Sequence, residues 1–259
     1  MISTVKRISL TEINEIQTCL NFIVTGTILR PRLGAILYSS SAQDYEKGLA
    51  EQFISFKDVE SKIFLNSLLI ATYGIYEKFI REICIASIKT INLKYKNYDE
   101  LREKVRNQNI LLTGKAFSSI FEPLDHFTHT YEDLVKNIST CTKGSCGYSL
   151  NSQLFGLYHN ILNTENIERL FGRMDINVNW DEIAKNGSYE TIYGQMKTRD
   201  TSNQIQLEID NFVRSRNVIS HTGPAVVDIP IGDIKRIIEF LKIFFLSFSK
   251  YLENYLKKY

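Results

Sequence analysis

Arg214-Ser215-Arg216-Asn217-Val218-Ile219-Ser220-His221, followed at once by Thr222-Gly223-Pro224, is the stretch on which the fold turns. Gln204 to Val213, just before it, carry apolar side chains in a helical rhythm. The stretch therefore closes a helix, which ends where Thr-Gly-Pro discourages another turn. An α-helix turns about 100° per residue. With Arg216 as origin, Ile205, Ile209, Phe212, Val213 and Ile219 all fall within roughly 60° of it. Arg216 thus occupies the middle of the apolar stripe, where a leucine is expected. Arg214, roughly 160° away, faces solvent.

A guanidinium on a core-facing stripe is unfavourable unless it is paired or lines a wet cleft. Asn217 lies between Arg216 and His221 and shares a face with His221 at i, i+4. Arg216, Asn217 and His221 can therefore edge one polar opening next to a buried face. A small catalytic or anion-binding site needs such an arrangement. The same residues also have structural readings. Arg216 can snorkel and pair with a carboxylate, and His221 can interact with the helix dipole. An arginine on the apolar face, an adjoining asparagine and a histidine directly before Thr-Gly together favour a site.

This R-N-x-x-x-H pattern resembles the signature of the HEPN superfamily, whose nuclease members carry an arginine and a histidine spaced in this way. Two further stretches agree. Leu68 to Ile80 (LLIATYGIYEKFI) resembles an early core helix of these domains, with Glu77 where an acidic or amide residue often stands. Trp180, the helical run into the motif and the long apolar helix from Ile231 resemble the RiboL-PSP-HEPN and MAE_28990-type branches. The likeness covers about residues 60–93 and 200–256 and is weak between them.

The resemblance implies an all-α, HEPN-like helical bundle with long core helices. It also implies metal-independent RNA cleavage, with Arg216, Asn217 and His221 catalytic and Glu77 and Ser220 supporting. RNA is then the substrate, and a homodimer across the motif helix is expected. The activity is expected to serve as a toxin or in antiphage defence, with an antitoxin or defence-system protein as partner. No metal and no cofactor are expected. The competing expectation is a non-catalytic HEPN binding module, or a scaffold in which Arg216 pairs with Glu77 or another buried carboxylate.

Composition bounds these readings. The chain has 259 residues, 44% of them hydrophobic, enough for an ordinary globular core. Thirty-one basic and 29 acidic residues leave a net charge of +2. Any RNA contact must therefore rest on a local patch rather than on overall charge. Four prolines and 13 glycines suit long helices and oppose a turn-rich β protein. There is no Walker A loop, GxGxxG or H-E-x-x-H, which argues against an NTPase, a Rossmann enzyme and a zincin. The N-terminus lacks the apolar core of a signal peptide, and the apolar run Ile234 to Phe248 is too charged and too short to span a bilayer. The expectation is a soluble, cytoplasmic protein.

Along the chain, Ser9 and Glu12 predict a capping box for a first helix that Arg30-Pro31-Arg32 breaks near Ile28. Leu37 to Ser41 reads as a short extended piece. Helices are predicted from Asp44 to about Phe56 and from Asp58 to about Lys94, the latter with Ile63, Ser67, Ile70, Gly74 and Ile75 at helical spacing and Tyr73, Tyr76 and Phe79 widening its buried surface. Asn97 and Glu100 predict a capped helix to about Gln108. Its basic face (Arg102, Lys104, Arg106, after Lys94 and Lys96) reads as a solvated surface or as a phosphate-contacting arm.

Shorter helices are predicted at Tyr131–Ile138, Gln153–Leu162 and Glu165–Met174. Residues 95–200 read as a less regular insertion on a single domain spanning 1–259. Cys19 and Cys84 read as buried thiols. Cys141 and Cys146 with His126 and His129 lack the spacing of a zinc knuckle, and His159 reads as structural.

Overall fold

The computed structural model describes residues 1–39, 41–55, 58–118, 130–145, 147–158, 161–224 and 227–259, with the backbone alone at 27–33, 53, 55 and 58–61. Eleven α-helices lie among them: α1 (Ile2–Leu37), α2 (Asp44–Ser55), α3 (Asp58–Lys94), α4 (Glu103–Ser118), α5 (Tyr131–Thr140), α6 (Ser152–Gly156), α7 (Thr164–Gly172), α8 (Trp180–Asn186), α9 (Glu190–Tyr193), α10 (Thr198–Thr222) and α11 (Ile231–Lys258). No β-strand occurs among the described residues, and the architecture is the all-α bundle expected. Helices α1, α3, α10 and α11 are long, and those between α3 and α10 are short.

Helix α3 is the centre. It packs against α1, α6, α7, α10 and α11. Its buried side chains Leu65, Leu69, Tyr73, Tyr76, Phe79, Ile80, Ile83 and Cys84 recur at three- and four-residue spacing, one continuous stripe. The positions predicted for that face, Ile63, Ser67 and Gly74, are exposed instead. The larger aromatic side chains won the interior, since each removes more apolar surface from water. Helix α11 answers with Phe240, Leu241, Phe244, Phe245, Phe248 and Tyr251, all buried. Phe79 stacks on Phe245 with centroids 4.1 Å apart. Each such side chain is worth roughly 1.5–3 kcal/mol of burial.

Several boundaries differ from the expectation, each for a local reason. Helix α1 starts at Ile2, not near Ser9, because the buried stripe Ile2, Ser9, Ile13 and Leu20 begins there. Ser9 is only 2% exposed and caps nothing, and Glu12 pairs with Lys78 on α3. Pro31 does not end α1, which continues to Leu37. A proline withholds one intrahelical hydrogen bond but holds φ near its helical value. Leu37 is therefore helical rather than extended. Glu100 accepts hydrogen bonds from the backbone of Lys96 and Asn97, but the box caps a single 3-10 turn, Tyr98–Glu100. Leu101 then adopts an extended conformation to bury its side chain, and α4 starts only at Glu103.

Helix α6 stops at Gly156, where a Cβ would lie 2.7 Å from Ile85 Cγ1. Arg173 caps the end of α6 by donating to the carbonyls of Phe155 and Leu157. Cys19 is exposed, contrary to expectation, because it lies off the stripe of α1. Cys84 is buried, donates to the Phe155 carbonyl and has its thiol pushed up to about 12 by burial. His126, His129, Cys146 and His159 lie outside the described residues. No described helix is long and apolar enough to cross a membrane.

Candidate active site at the end of helix α10

Side-chain bonds tie α10 to three neighbouring helices. Ser202 donates to Asp181 of α8 at 2.6 Å, Thr164 of α7 donates to Asp210 at 3.0 Å, and Arg236 of α11 pairs with Glu208 at 2.8 Å. Along the same helix Ile205, Ile209, Phe212, Val213 and Ile219 are all buried, the five positions that the helical wheel gathers around Arg216. Arg214 is exposed, while Arg216 is half-buried.

Arg216 sits against α3. Its guanidinium carbon lies 4.7 Å from the centroid of the Tyr73 ring, within cation–π range. Tyr73 is held in turn by Tyr76 and Phe212, with centroids 5.9 and 5.8 Å away. The Arg216 Nη1 donates to Asn217 Oδ1 at 3.2 Å, and its Nε is buried without a hydrogen-bond partner. So the charge rests on an aromatic face, oriented by the asparagine beside it, and no carboxylate neutralises it among the described residues. His221 and Ser220 are exposed on the last turn, which Gly223 closes with φ +88° and an N–H bonded to the Ile219 carbonyl at 2.8 Å. A rise of about 1.5 Å per residue sets the His221 backbone about 7.5 Å along the axis from that of Arg216.

The profile of the RiboL-PSP-HEPN family matches residues 39–254, a span that takes in α3, α10 and nearly all of α11. The chain belongs to the RiboL-PSP-HEPN family. No curated protein and no solved structure matches it. Membership in this HEPN family points to a nuclease, RNA-related or defence role.

In this RiboL-PSP-HEPN chain, Glu77 is half-buried on α3, one turn beyond Tyr73. No ion pair joins it to Arg216 among the described residues, though both charges act on the Tyr73 phenol. Burial raises the Tyr73 phenol above its ordinary pKa and the Leu162 amide lowers it. Glu77 then raises it and Arg216 lowers it. The sequence drew attention to Tyr73 only as apolar surface. Its place under Arg216 depends on how α3 meets α10 and has no local signal.

The basic stretch near α4 is largely occupied by structural contacts. Arg102 pairs with Asp175 at 2.8 Å and stacks on Tyr259, Arg106 pairs with Asp99, and Lys94 donates to the carbonyls of Leu256 and Lys257. These cations are thus held by the protein's own carboxylates, carbonyls and an aromatic ring, which departs from a purely solvated face and does not favour a phosphate-contacting arm. No cluster of three or more metal-ligating side chains occurs among the described residues.

Proposed function

We propose that this protein is a metal-independent endoribonuclease whose site consists of Arg216, Asn217 and His221, with Glu77 and Ser220 in support. One observation carries the reading. A guanidinium is set into an apolar helix face, held by an aromatic ring rather than neutralised by a carboxylate, five residues before an exposed histidine on the same helix. A phosphodiester offers the negative charge that such an arginine lacks, and an imidazole is suited to moving protons near neutral pH.

In the reaction, the imidazole of His221 removes the proton of a ribose 2′-hydroxyl. The 2′-oxygen attacks the adjacent phosphorus, and the bond from phosphorus to the 5′-oxygen breaks. The departing oxygen takes a proton from an imidazolium. The products are a 2′,3′-cyclic phosphate and a 5′-hydroxyl. Arg216 holds the phosphate and its developing charge, and Asn217 keeps the guanidinium oriented. Removing one proton and delivering another on opposite sides of a phosphate calls for two groups, while one chain supplies one motif histidine. A two-fold dimer that brings two α10 helices together supplies the second. Leu207 and Val218 are exposed on α10, eleven residues apart and so on one face, on the far side of the helix from Arg216 but roughly 40–60° round from His221, and give such a contact an apolar seam on the His221 side.

The biological role that fits is a toxin or antiphage-defence effector in the cytoplasm, held in check by an antitoxin or activated by a defence-system partner. The deciding experiment is cleavage of end-labelled RNA by the purified protein in EDTA, with the product ends identified.

A further inference from the structure

His221 is exposed, and its imidazole has no hydrogen-bond partner among the described residues. A group that moves protons must nonetheless be placed to within a fraction of an ångström. Its placement therefore falls to the backbone of the last turn of α10. Gly223 turns the chain out of the helix there, and the carbonyls that follow are caught by one side chain. The Nδ2 of Asn66 donates to the carbonyls of Pro224 at 2.5 Å and Val227 at 2.7 Å. Asn66 is fully buried on α3 and spends both amide hydrogens in this way. One turn earlier on the same face of α3, Lys62 pairs with Asp228 at 3.1 Å. Two side chains at i, i+4 thus grip the connection that leaves His221. An apolar residue at position 66 would leave the two carbonyls without this donor, a cost that helix packing alone does not require.

We propose that Asn66 is a positioning residue that fixes the His221 end of α10 from the opposite side of the connection; the role rests on His221 acting in RNA cleavage as proposed above. Asn66 touches neither RNA nor the imidazole and acts through the backbone carbonyls of Pro224 and Val227. Arg216, held separately by Tyr73, keeps its place when Asn66 is changed.

The test uses the full chain carrying Asn66→Asp, which keeps the side-chain volume and removes both donors. The expected result is a fall in kcat on the order of tenfold to a hundredfold with KM within about twofold, and recovery of at least part of the rate in Asn66→Gln. The His221 imidazole signals in an NMR spectrum, identified by their loss in His221→Ala, move in Asn66→Asp and stay in place in Arg214→Ala. Lys62→Ala, at the exposed limb of the same grip, lowers kcat severalfold and alone decides the matter if Asn66→Asp loses its melting transition. Wild-type kcat in these variants, a loss carried by KM, or unmoved His221 signals overturn the proposal. The spectrum is read without RNA. A protein that cleaves nothing but shows the shift therefore sinks the nuclease reading and leaves the positioning intact. Cleavage abolished by His221→Ala but untouched by Asn66→Asp and Lys62→Ala sinks the positioning alone.

Discussion

The Arg216 guanidinium rests 4.7 Å from the centre of the Tyr73 ring, so the charge on α10 is seated on α3 by an aromatic face. This contact explains how an arginine is tolerated within an apolar stripe. The ring attracts the cation through its face, so the contact itself consumes none of the N–H groups in the guanidinium plane.

The ring, rather than the hydroxyl, should therefore matter for the site. Tyr73→Phe keeps the stack and loses only a long contact from the Leu162 N–H at 3.4 Å, with a cost of at most about 1 kcal/mol. Tyr73→Leu removes the stack and part of a buried aromatic cluster, with a cost of roughly 2–4 kcal/mol. Urea melts measure the stability, and RNA cleavage by folded protein measures the site. Tyr73→Phe should stay close to the wild type in both, while Tyr73→Leu should raise KM as Arg216 loses its seat.

Gly223 has φ +88° and ψ 151°, a region that only glycine occupies readily. A Cβ there meets no atom within 4 Å, so substitution strains the backbone without a clash. Gly223→Ala should cost about 1–3 kcal/mol in denaturant unfolding, and its surviving folded fraction should cleave more slowly, because the last turn carries His221. Stability equal to the wild type would show that the turn has another conformation open to it.

Burial is the largest influence on Glu208 and raises its carboxyl above the ordinary range. Arg236 pulls it back, and Asp233 adds to the rise. A folded-state value above the unfolded one means that the fold prefers the protonated acid. Its contribution is fully present below the unfolded value and is lost as the pH rises through the folded one. Glu208→Gln is neutral throughout, so it should melt at or above the wild-type temperature near pH 7. That advantage should vanish towards about pH 4. Thermal melts across this range test it, and a lower melting point at neutral pH would mean that the Arg236 pair outweighs burial.

The exposed Val218 tests the dimer. Val218→Glu should leave the helical signal unchanged, convert the protein to a monomer in light scattering at micromolar concentration, and remove cleavage. A wild-type protein that is monomeric with and without RNA would contradict the composite site.

Much of this was readable along the chain because it was written locally. The limits of α3, the stripe of α10 and the place of Arg216 within it all follow from spacing within one helix. The long-range contacts were not readable. Tyr73 reaches Arg216, and Asn66 reaches Pro224, across well over a hundred residues, and no local pattern marks either side chain. The cap expected at Ser9 failed for the opposite reason. A valid local signal was overridden by a buried stripe that begins at Ile2. Glu77, expected to pair with Arg216, forms no ion pair with it among the described residues, because side-chain reach across two helices is set by their packing and not by either sequence.

Cleavage by a site of Arg216 and His221 is decided by the rate of RNA cleavage in EDTA by the wild type, His221→Ala, Arg216→Ala and Arg214→Ala, with helical content checked in each. Both arginine variants lose one positive charge, so bulk electrostatics cannot separate them. The wild type should leave 2′,3′-cyclic phosphate ends, His221→Ala and Arg216→Ala should lose on the order of a hundredfold or more, and Arg214→Ala should cleave at a nearly unchanged rate. Wild-type cleavage by His221→Ala, or equal behaviour of the two arginine variants, would contradict such a site.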